Sequence, residues 1–217
     1  MTTYRVNVVC QNEDDYVYSI SSSLLHPMHV STTSGVWYNH PSNATWNASG
    51  ITPELLANEP LVAYDSYMTI GSEDSEGPIP TEIWLSGSDP SAEFLPGGGN
   101  NFQLVGAPGT IYQFYPGMGQ VNTHPAFAGE DLRVLLMQIT TAGDVEGQFG
   151  VRVYPNGQLE DAETASLQFD SSSVCYQLDE CVGGELDECG VCDGPGMTHS
   201  CEDGAMACTP DECPSPL

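Results

Sequence analysis

Cysteine is the residue whose number and spacing carry the most chemistry in this chain. Seven of the eight cysteines lie after residue 174, in a segment rich in Asp, Glu, Gly and Pro. Such a segment has too few apolar side chains to form a core, so covalent bonds or a metal must hold it. Because disulfides persist in oxidising surroundings, the predicted location is extracellular or on the cell surface. The predicted disulfide-bonded residues are Cys10, Cys175, Cys181, Cys189, Cys192, Cys201, Cys208 and Cys213.

The odd number of tail cysteines means that they cannot all pair with one another. One of them either bonds Cys10, which ends the first predicted strand, or stays free. A bond within one chain would tie that strand to the tail, whereas a bond to another copy would link subunits covalently. The sequence leaves the connectivity open.

A zinc site is the alternative use of the same thiols. Cys189-Gly-Val-Cys192 has the spacing of a zinc knuckle, with Cys208, Cys213 and His199 nearby. However, zinc-ribbon pairs usually both have a two-residue gap, and here one pair does. Zinc would also leave three tail cysteines without a role, so the disulfide interpretation is preferred.

The run from Leu186 to Gly196, Leu-Asp-Glu-Cys-Gly-Val-Cys-Asp-Gly-Pro-Gly, is closed by Cys201. It resembles a segment of the cysteine-rich modules in secreted matrix proteins and in large surface proteins of marine microbes. This chain departs from that segment at Asp193 and Pro195. The resemblance implies a disulfide-bonded extracellular module that serves as a spacer or contact, and it brings no catalytic residue.

Two asparagines stand in N-glycosylation triplets, Asn43-Ala-Thr45 and Asn47-Ala-Ser49. In an extracellular protein of eukaryotic origin, such triplets are sugar acceptors on surface loops. We therefore predict glycosylation at Asn43 and Asn47. In a bacterial protein the inference fails, and O-linked sugars on Ser and Thr are the alternative.

Metal sites and catalytic motifs are weakly represented in the sequence. His26-Pro-Met-His29 has ligand types that suit copper, but a blue-copper site also needs a later cysteine, and none follows Cys10 in the first 174 residues. The acidic clusters at residues 12–15, 73–76, 130–131 and 179–180 offer oxygen ligands for calcium without the spacing of a helix-loop-helix site. We therefore predict no metal ligands, keep calcium as an unassigned cofactor, and predict that the chain is not an enzyme.

The charge balance excludes several classes of partner. The chain has 30 acidic and 3 basic side chains, no lysine, and a formal net charge of −27. Such a surface repels nucleic acid and anionic membrane, and without lysine there is no Schiff-base or phosphate-loop chemistry. No run of eighteen apolar residues is present, so no membrane span is predicted.

The elements that must position these residues are short strands. Apolar and β-branched runs alternate with Gly, Pro, Asn, Asp and Ser, which predicts an all-β antiparallel β-sandwich over residues 1–172. A small disulfide-rich C-terminal module is predicted over residues 173–217. The predicted strands cover residues 4–10, 16–20, 36–38, 61–64, 67–70, 82–85, 102–105, 111–115, 132–140, 148–154 and 166–169.

Three local predictions follow from this pattern. Residues 132–140 are apolar on both faces, which is typical of a central strand, and residues 141–147 should join them to 148–154 as a hairpin. Thr52 and Pro53 should cap a single helical turn that Pro60 ends.

Residues 129–157 also resemble a sandwich unit that recurs in large surface proteins of marine microbes and algae, which implies an architectural role.

Taken together, these features predict a secreted or surface-exposed structural protein that assembles with copies of itself into a filament or layer, virion surfaces included. The N-terminal strand, residues 4–10, should offer a sheet edge, and the tail should clamp the next subunit. The alternative is a carbohydrate-binding or adhesive module, with calcium as a candidate cofactor. In that case the stacking aromatics would be Trp37, Tyr38, Trp46 and Trp84.

Overall fold

The structure is a computed structural model that describes residues 1–84, 89–104, 108–117 and 123–171, and the backbone of 199–200 and 206–207. The chain divides into two units, Met1–Gln177 and Leu178–Leu217. The predicted domain boundary at residue 172 stays a prediction.

The first unit is mostly β, and all of its paired strands are antiparallel, which confirms the all-β antiparallel prediction. Its described residues contain one short α-helix, α1, at Pro53–Asn58. Its strands are β1 Thr2–Val9, β2 Tyr16–Ser22, β3 Met28–Thr32, β4 Tyr67–Met68, β5 Thr81–Trp84, β6 Phe102–Leu104, β7 Gly109–Tyr112, β8 Arg133–Thr141, β9 Val145–Tyr154 and β10 Glu163–Asp170. In the second unit, β11 His199–Ser200 pairs with β12 Met206–Ala207.

Two sheets make up the first unit. The smaller has the order β1-β8-β4, with β8 in the centre as predicted. In the larger sheet, β10 pairs with one edge of β9. β2 and β3 pair with successive parts of the other edge of β9. β7 and β6 pair in turn with β2 and β3, and β5 lies beyond β7. The larger sheet is therefore five strands wide where β5, β7, β2, β9 and β10 lie side by side.

Side chains from both sheets meet in one hydrophobic cluster, which makes the architecture sandwich-like. β1 contributes Val6 and Val8, β8 contributes Leu136, and β9 contributes Phe149 and Val151. The other face of β8 packs in a second cluster, where Leu135 is buried with Ala48, Ile51, Val62 and Tyr67. β8 is thus covered on both faces, which accounts for its continuous run of apolar residues.

The predicted helical turn is confirmed and other local predictions are corrected. Thr52 caps α1, because its side chain accepts a hydrogen bond from the Leu55 N–H. Residues 61–64 were predicted as a strand but lie in a 3₁₀ helix, Pro60–Tyr64, with Pro60 at its start. Residues 36–38 form isolated bridges only, and β3 was not predicted.

The predicted hairpin between β8 and β9 is also wrong. β8 pairs with β1 and β4, whereas β9 pairs with β2, β3 and β10, so the connection crosses from one sheet to the other. In the part of the chain that the structure describes, no helix is long and apolar enough to cross a membrane.

Candidate functional site

Of the predicted disulfide residues, the structure describes Cys10 alone. Cys175, Cys181, Cys189, Cys192, Cys201, Cys208 and Cys213 all lie outside the described residues, so their pairing stays a prediction. Cys10 is buried, and its thiol has no disulfide partner among the described residues. Burial, together with the nearby Asp15 carboxylate, raises the pKa of this thiol to about 12. It is therefore a poor nucleophile in the folded unit.

Both predicted glycosylation sites are buried. Asn43 is 1% exposed, and its Nδ2 donates to Asp65 Oδ2 at 2.7 Å and to the Asn47 carbonyl at 3.2 Å. The Asn47 side chain accepts from the Ser49 N–H at 2.9 Å. An N-linked sugar is attached at Nδ2, and here the Asn43 nitrogen is fully used inside the fold. Glycosylation stays a prediction, and this geometry counts against Asn43 as an acceptor.

Asp65 is the centre of this polar cluster and is fully buried. Its carboxylate accepts from the His40 backbone N–H, the Asn43 amide and the Ser66 backbone N–H. Burial raises the pKa of the carboxyl to about 6, and these hydrogen bonds limit the rise. The Gln138 side chain also donates to the Asp65 carbonyl at 2.7 Å, which ties the cluster to β8. These hydrogen bonds attach the loop around Asp65 to β8, and all of them join groups inside the fold.

Among the residues whose side chains the structure describes, the histidines do not converge on one site. His26 Nδ1 lies 2.7 Å from Ser166 Oγ, while His29 lies on β3. His40 Nδ1 accepts from the Ser42 N–H at 3.2 Å, and burial lowers the pKa of His124. No group of three or more His, Cys, Asp or Glu side chains suited to a metal ion occurs among the described residues.

Two of the acidic clusters considered for calcium, at residues 12–15 and 73–76, contain carboxylates that bind other groups of the chain. Asp15 is buried, and its carboxylate accepts from the backbone N–H groups of Gln11, Asn12 and Asn156, all between 2.8 and 2.9 Å. Glu73 forms an ion pair with Arg5 on β1. A carboxylate surrounded by N–H donors is already satisfied as an anion, so Asp15 is poorly placed to bind a cation. The cluster at 179–180 lies outside the described residues.

The four aromatics proposed as stacking platforms lie mainly against the interior. Trp37 is buried and packs near Phe94, with its indole N–H donating to the Glu93 carbonyl. Trp46 and Trp84 are partly buried and pack against the main hydrophobic cluster. Tyr38 is partly exposed and lies near His40.

A different surface combines exposed aromatic and polar side chains. On the larger sheet, core residues such as Ile20, Ile111 and Val151 alternate with residues on the opposite side, which we call the outer face. Paired residues place this face in registered rows. In order along β9, the rows are Ser31, Glu146 and Asp170; Gln103, His29, Gln148 and Gln168; Ile83, Thr110, Ser21, Gly150 and Ser166; and Thr81, Tyr112, Ser19, Arg152 and Thr164.

Four rings form an unbroken series that runs from just beyond the end of β7 across β2 to β9, and we call this series the aromatic row. The rings are those of Phe114, Tyr112, Tyr18 and Tyr154. Successive centroids lie 5.3, 5.9 and 5.2 Å apart. Phe114 is 70% exposed, Tyr112 and Tyr18 are partly exposed, and Tyr154 is buried beneath Arg152. The pairing of β2 with β9 shifts register between Val17 and Ser19, so Tyr18 is an extra, bulged residue on β2. The ring of Tyr18 thereby joins the aromatic row.

The loop between β2 and β3, residues 23–27, crosses the outer face. The His26 side chain reaches Ser166 on β10 and passes over Gly150 on β9. A Cβ on Gly150 would lie 2.7 Å from Ser21 Oγ and 3.0 Å from the His26 Cβ, so the loop passes close over the backbone at this glycine. Leu24 and Leu25 are 84% and 85% exposed on this loop.

The edges of the two sheets differ in how they are protected. β10 pairs with β9 in continuous register over all eight residues, and in the described part of the chain its other edge has no partner strand. Its interior, residues 164–169, contains no charge and no proline. β1 is also an edge strand, but its register shifts between Val6 and Asn7, and it carries Arg5. Bulges and charges discourage edge pairing, so β10 is the less protected edge.

Sequence reasoning missed both the aromatic row and the β10 edge as functional candidates. A signal for the row was present: Tyr112 and Phe114 alternate with the buried Ile111 and Gln113, as on a half-exposed strand. The contribution of Tyr18 depends on a bulge, which the sequence pattern does not reveal.

No family model, curated protein or solved structure matches this chain. The two resemblances drawn from the sequence therefore stay predictions.

Proposed function

We propose that this chain is a structural subunit of an extracellular assembly, a filament or a layer. In this proposal residues 1–172 form a β-sandwich that joins copies of itself through a sheet edge. Residues 173–217 form a module held by disulfide bonds that links or clamps subunits. No catalytic role is assigned, and carbohydrate is a partner that the assembly could carry or bind.

The open edge of β10 is the observation that carries the proposal. An edge strand presents backbone N–H and C=O groups that can pair with a strand of another chain. β10 has the features that favour such pairing: eight residues, continuous register with β9, and a neutral interior. Pairing with a second copy would extend the larger sheet across the interface.

Growth beyond a dimer needs a second contact. If β10 pairs with β10 of another copy about a two-fold axis, the contact closes on itself. The edges at β5 and β1, and the cysteines of the tail, are the proposed second contacts. Of these, β5 is four residues long and β1 carries a bulge, so a tail disulfide is the strongest candidate for linking such dimers.

A pair of proline variants tests the proposed edge. Adjacent residues in a strand direct their N–H groups to opposite edges. Of Thr164→Pro and Ala165→Pro, one therefore removes an N–H that faces β9, and the other removes one that faces the open edge. The variant that loses a hydrogen bond to β9 should melt at a lower temperature than the wild type. The variant that keeps the wild-type melting temperature therefore probes the open edge, and the other proline variant is its control for stability.

Sedimentation velocity at rising protein concentration provides the measurement. The wild-type chain should form dimers or larger species, and the stable proline variant should remain a monomer under the same conditions. The proposal fails if the wild-type chain stays monomeric throughout, or if the stable proline variant associates as strongly as the wild type.

A further inference from the structure

The outer face of the larger sheet has the composition of a ligand-binding surface that the assembly proposal does not use. Its central element is the aromatic row, in which Phe114 is the most exposed ring and Tyr112 and Tyr18 continue the series inward. We infer that this face binds a neutral polysaccharide, with pyranose rings stacked on the aromatic row.

The chemistry of the rings supports this class of ligand. The face of an aromatic ring carries partial negative charge, and the C–H groups on one side of a pyranose ring are weakly positive. Rings that present their faces or edges to water in a continuous series can therefore contact successive sugar units. Phe114 and Tyr112 meet edge to face at 79°, while Tyr112 and Tyr18 are tilted by 31°, so the row offers surfaces of more than one orientation.

Polar groups on the outer face match sugar hydroxyls. Thr81 and Thr164 lie in the same row as Tyr112. Farther along the strands, beyond the row that the 23–27 loop crosses, the face carries three glutamines whose amides both donate and accept hydrogen bonds, Gln103, Gln148 and Gln168. Five strands spaced about 4.8 Å apart make this face about 20 Å wide, which is enough for several sugar units in a line.

The charge of the outer face distinguishes neutral from anionic polymers. Arg152 lies in the row of Tyr112, whereas Glu146 and Asp170 are paired in the row beyond Gln148, so the outer face has a small net charge while the chain as a whole carries −27. A long anionic polymer would experience repulsion from the rest of the surface, whereas an uncharged one would not. The face therefore fits a neutral polysaccharide better than an acidic one.

Affinity electrophoresis in gels that contain hydroxyethyl cellulose, galactomannan or alginate tests the inference. The wild-type chain should be retarded by at least one of the two neutral polymers and not by alginate. Phe114→Ala should bind about tenfold more weakly, since one exposed stacking ring is lost. Phe114→Trp should retain binding. Tyr64→Ala is the matched control, because Tyr64 is 52% exposed and lies in the 3₁₀ helix at Pro60–Tyr64.

Several results would overturn the inference. These are no retardation by either neutral polymer, equal retardation by alginate, unchanged binding in Phe114→Ala, or an equal loss in Tyr64→Ala. A fall in self-association in Phe114→Ala without any glycan binding would assign the face to a second copy instead. Wild-type protein that is dilute enough to remain monomeric should still bind the polymer, so this inference and the assembly proposal can fail separately.

Discussion

Asp65 carries a carboxylate that folding removes from water. Its pKa is about 6 in the folded unit, above the value of 3.8 for an exposed carboxyl. The folded state therefore binds the proton more tightly than the unfolded state between these two values, and stability falls as the pH rises through this window. The predicted loss from this group is roughly 3 kcal/mol at most.

The measurement is the free energy of unfolding by urea from pH 4 to pH 7, for the wild-type chain and for Asp65→Asn. The amide that replaces the carboxyl in this variant does not titrate, so the difference between the two chains isolates the carboxyl. The wild-type chain should lose stability relative to the variant as the pH rises. A difference that stays constant, or that grows in favour of the wild type, would contradict this account of the cluster.

At the residue scale, the sequence identifies residues whose chemistry is of interest, but it does not predict whether the fold buries them. The triplets at Asn43 and Asn47 predict surface acceptors, yet both side chains are buried, and the Asn43 amide donates to Asp65. That hydrogen bond joins residues 22 positions apart, and a local triplet carries no information about it. The cysteine prediction rests on composition and on spacing, and the structure describes only Cys10 among its residues.

At the scale of elements, predictions succeeded where the cause is local. Thr52 and Pro53 determine the start of α1, and the apolar run of β8 indicates a strand covered on both faces. Predictions failed where tertiary pairing decides the outcome. β8 and β9 follow one another but lie in different sheets, and β3 continues the path of β2 after a loop.

Gly71 and Gly35 provide a test of how tightly the connections are packed. Both have positive φ, at +85° and +78°. A Cβ on Gly71 would lie 2.0 Å from the Pro125 carbonyl oxygen, whereas a Cβ on Gly35 would have no neighbour within 4 Å. Gly35→Ala should cost about 1 kcal/mol from backbone strain alone, and Gly71→Ala should cost at least twice as much.

Thermal and urea unfolding of the two alanine variants, each against the wild-type chain, give these costs. Equal destabilisation of Gly71→Ala and Gly35→Ala would contradict the close contact between Gly71, which follows β4, and the Pro125 carbonyl.

At the scale of the whole molecule, the net charge and the open edge act in opposite directions. A formal charge of −27 makes copies repel one another, and the repulsion is screened within about 10 Å at 0.1 M salt and about 3 Å at 1 M. Backbone pairing at an edge depends little on salt. Association through β10 should therefore strengthen as salt is added, which suits an assembly formed in a saline medium.

Hydrogen–deuterium exchange along β10 is the most direct test of the central claim, that copies of this chain join through that edge. Exchange should be compared between dilute protein in low salt and concentrated protein in about 1 M salt. The account predicts that alternate amides within residues 164–169, those that face the open edge, become protected when the protein associates, while β1 amides change little. Association that leaves the β10 amides unprotected would contradict the account, as would protein that remains monomeric in both conditions.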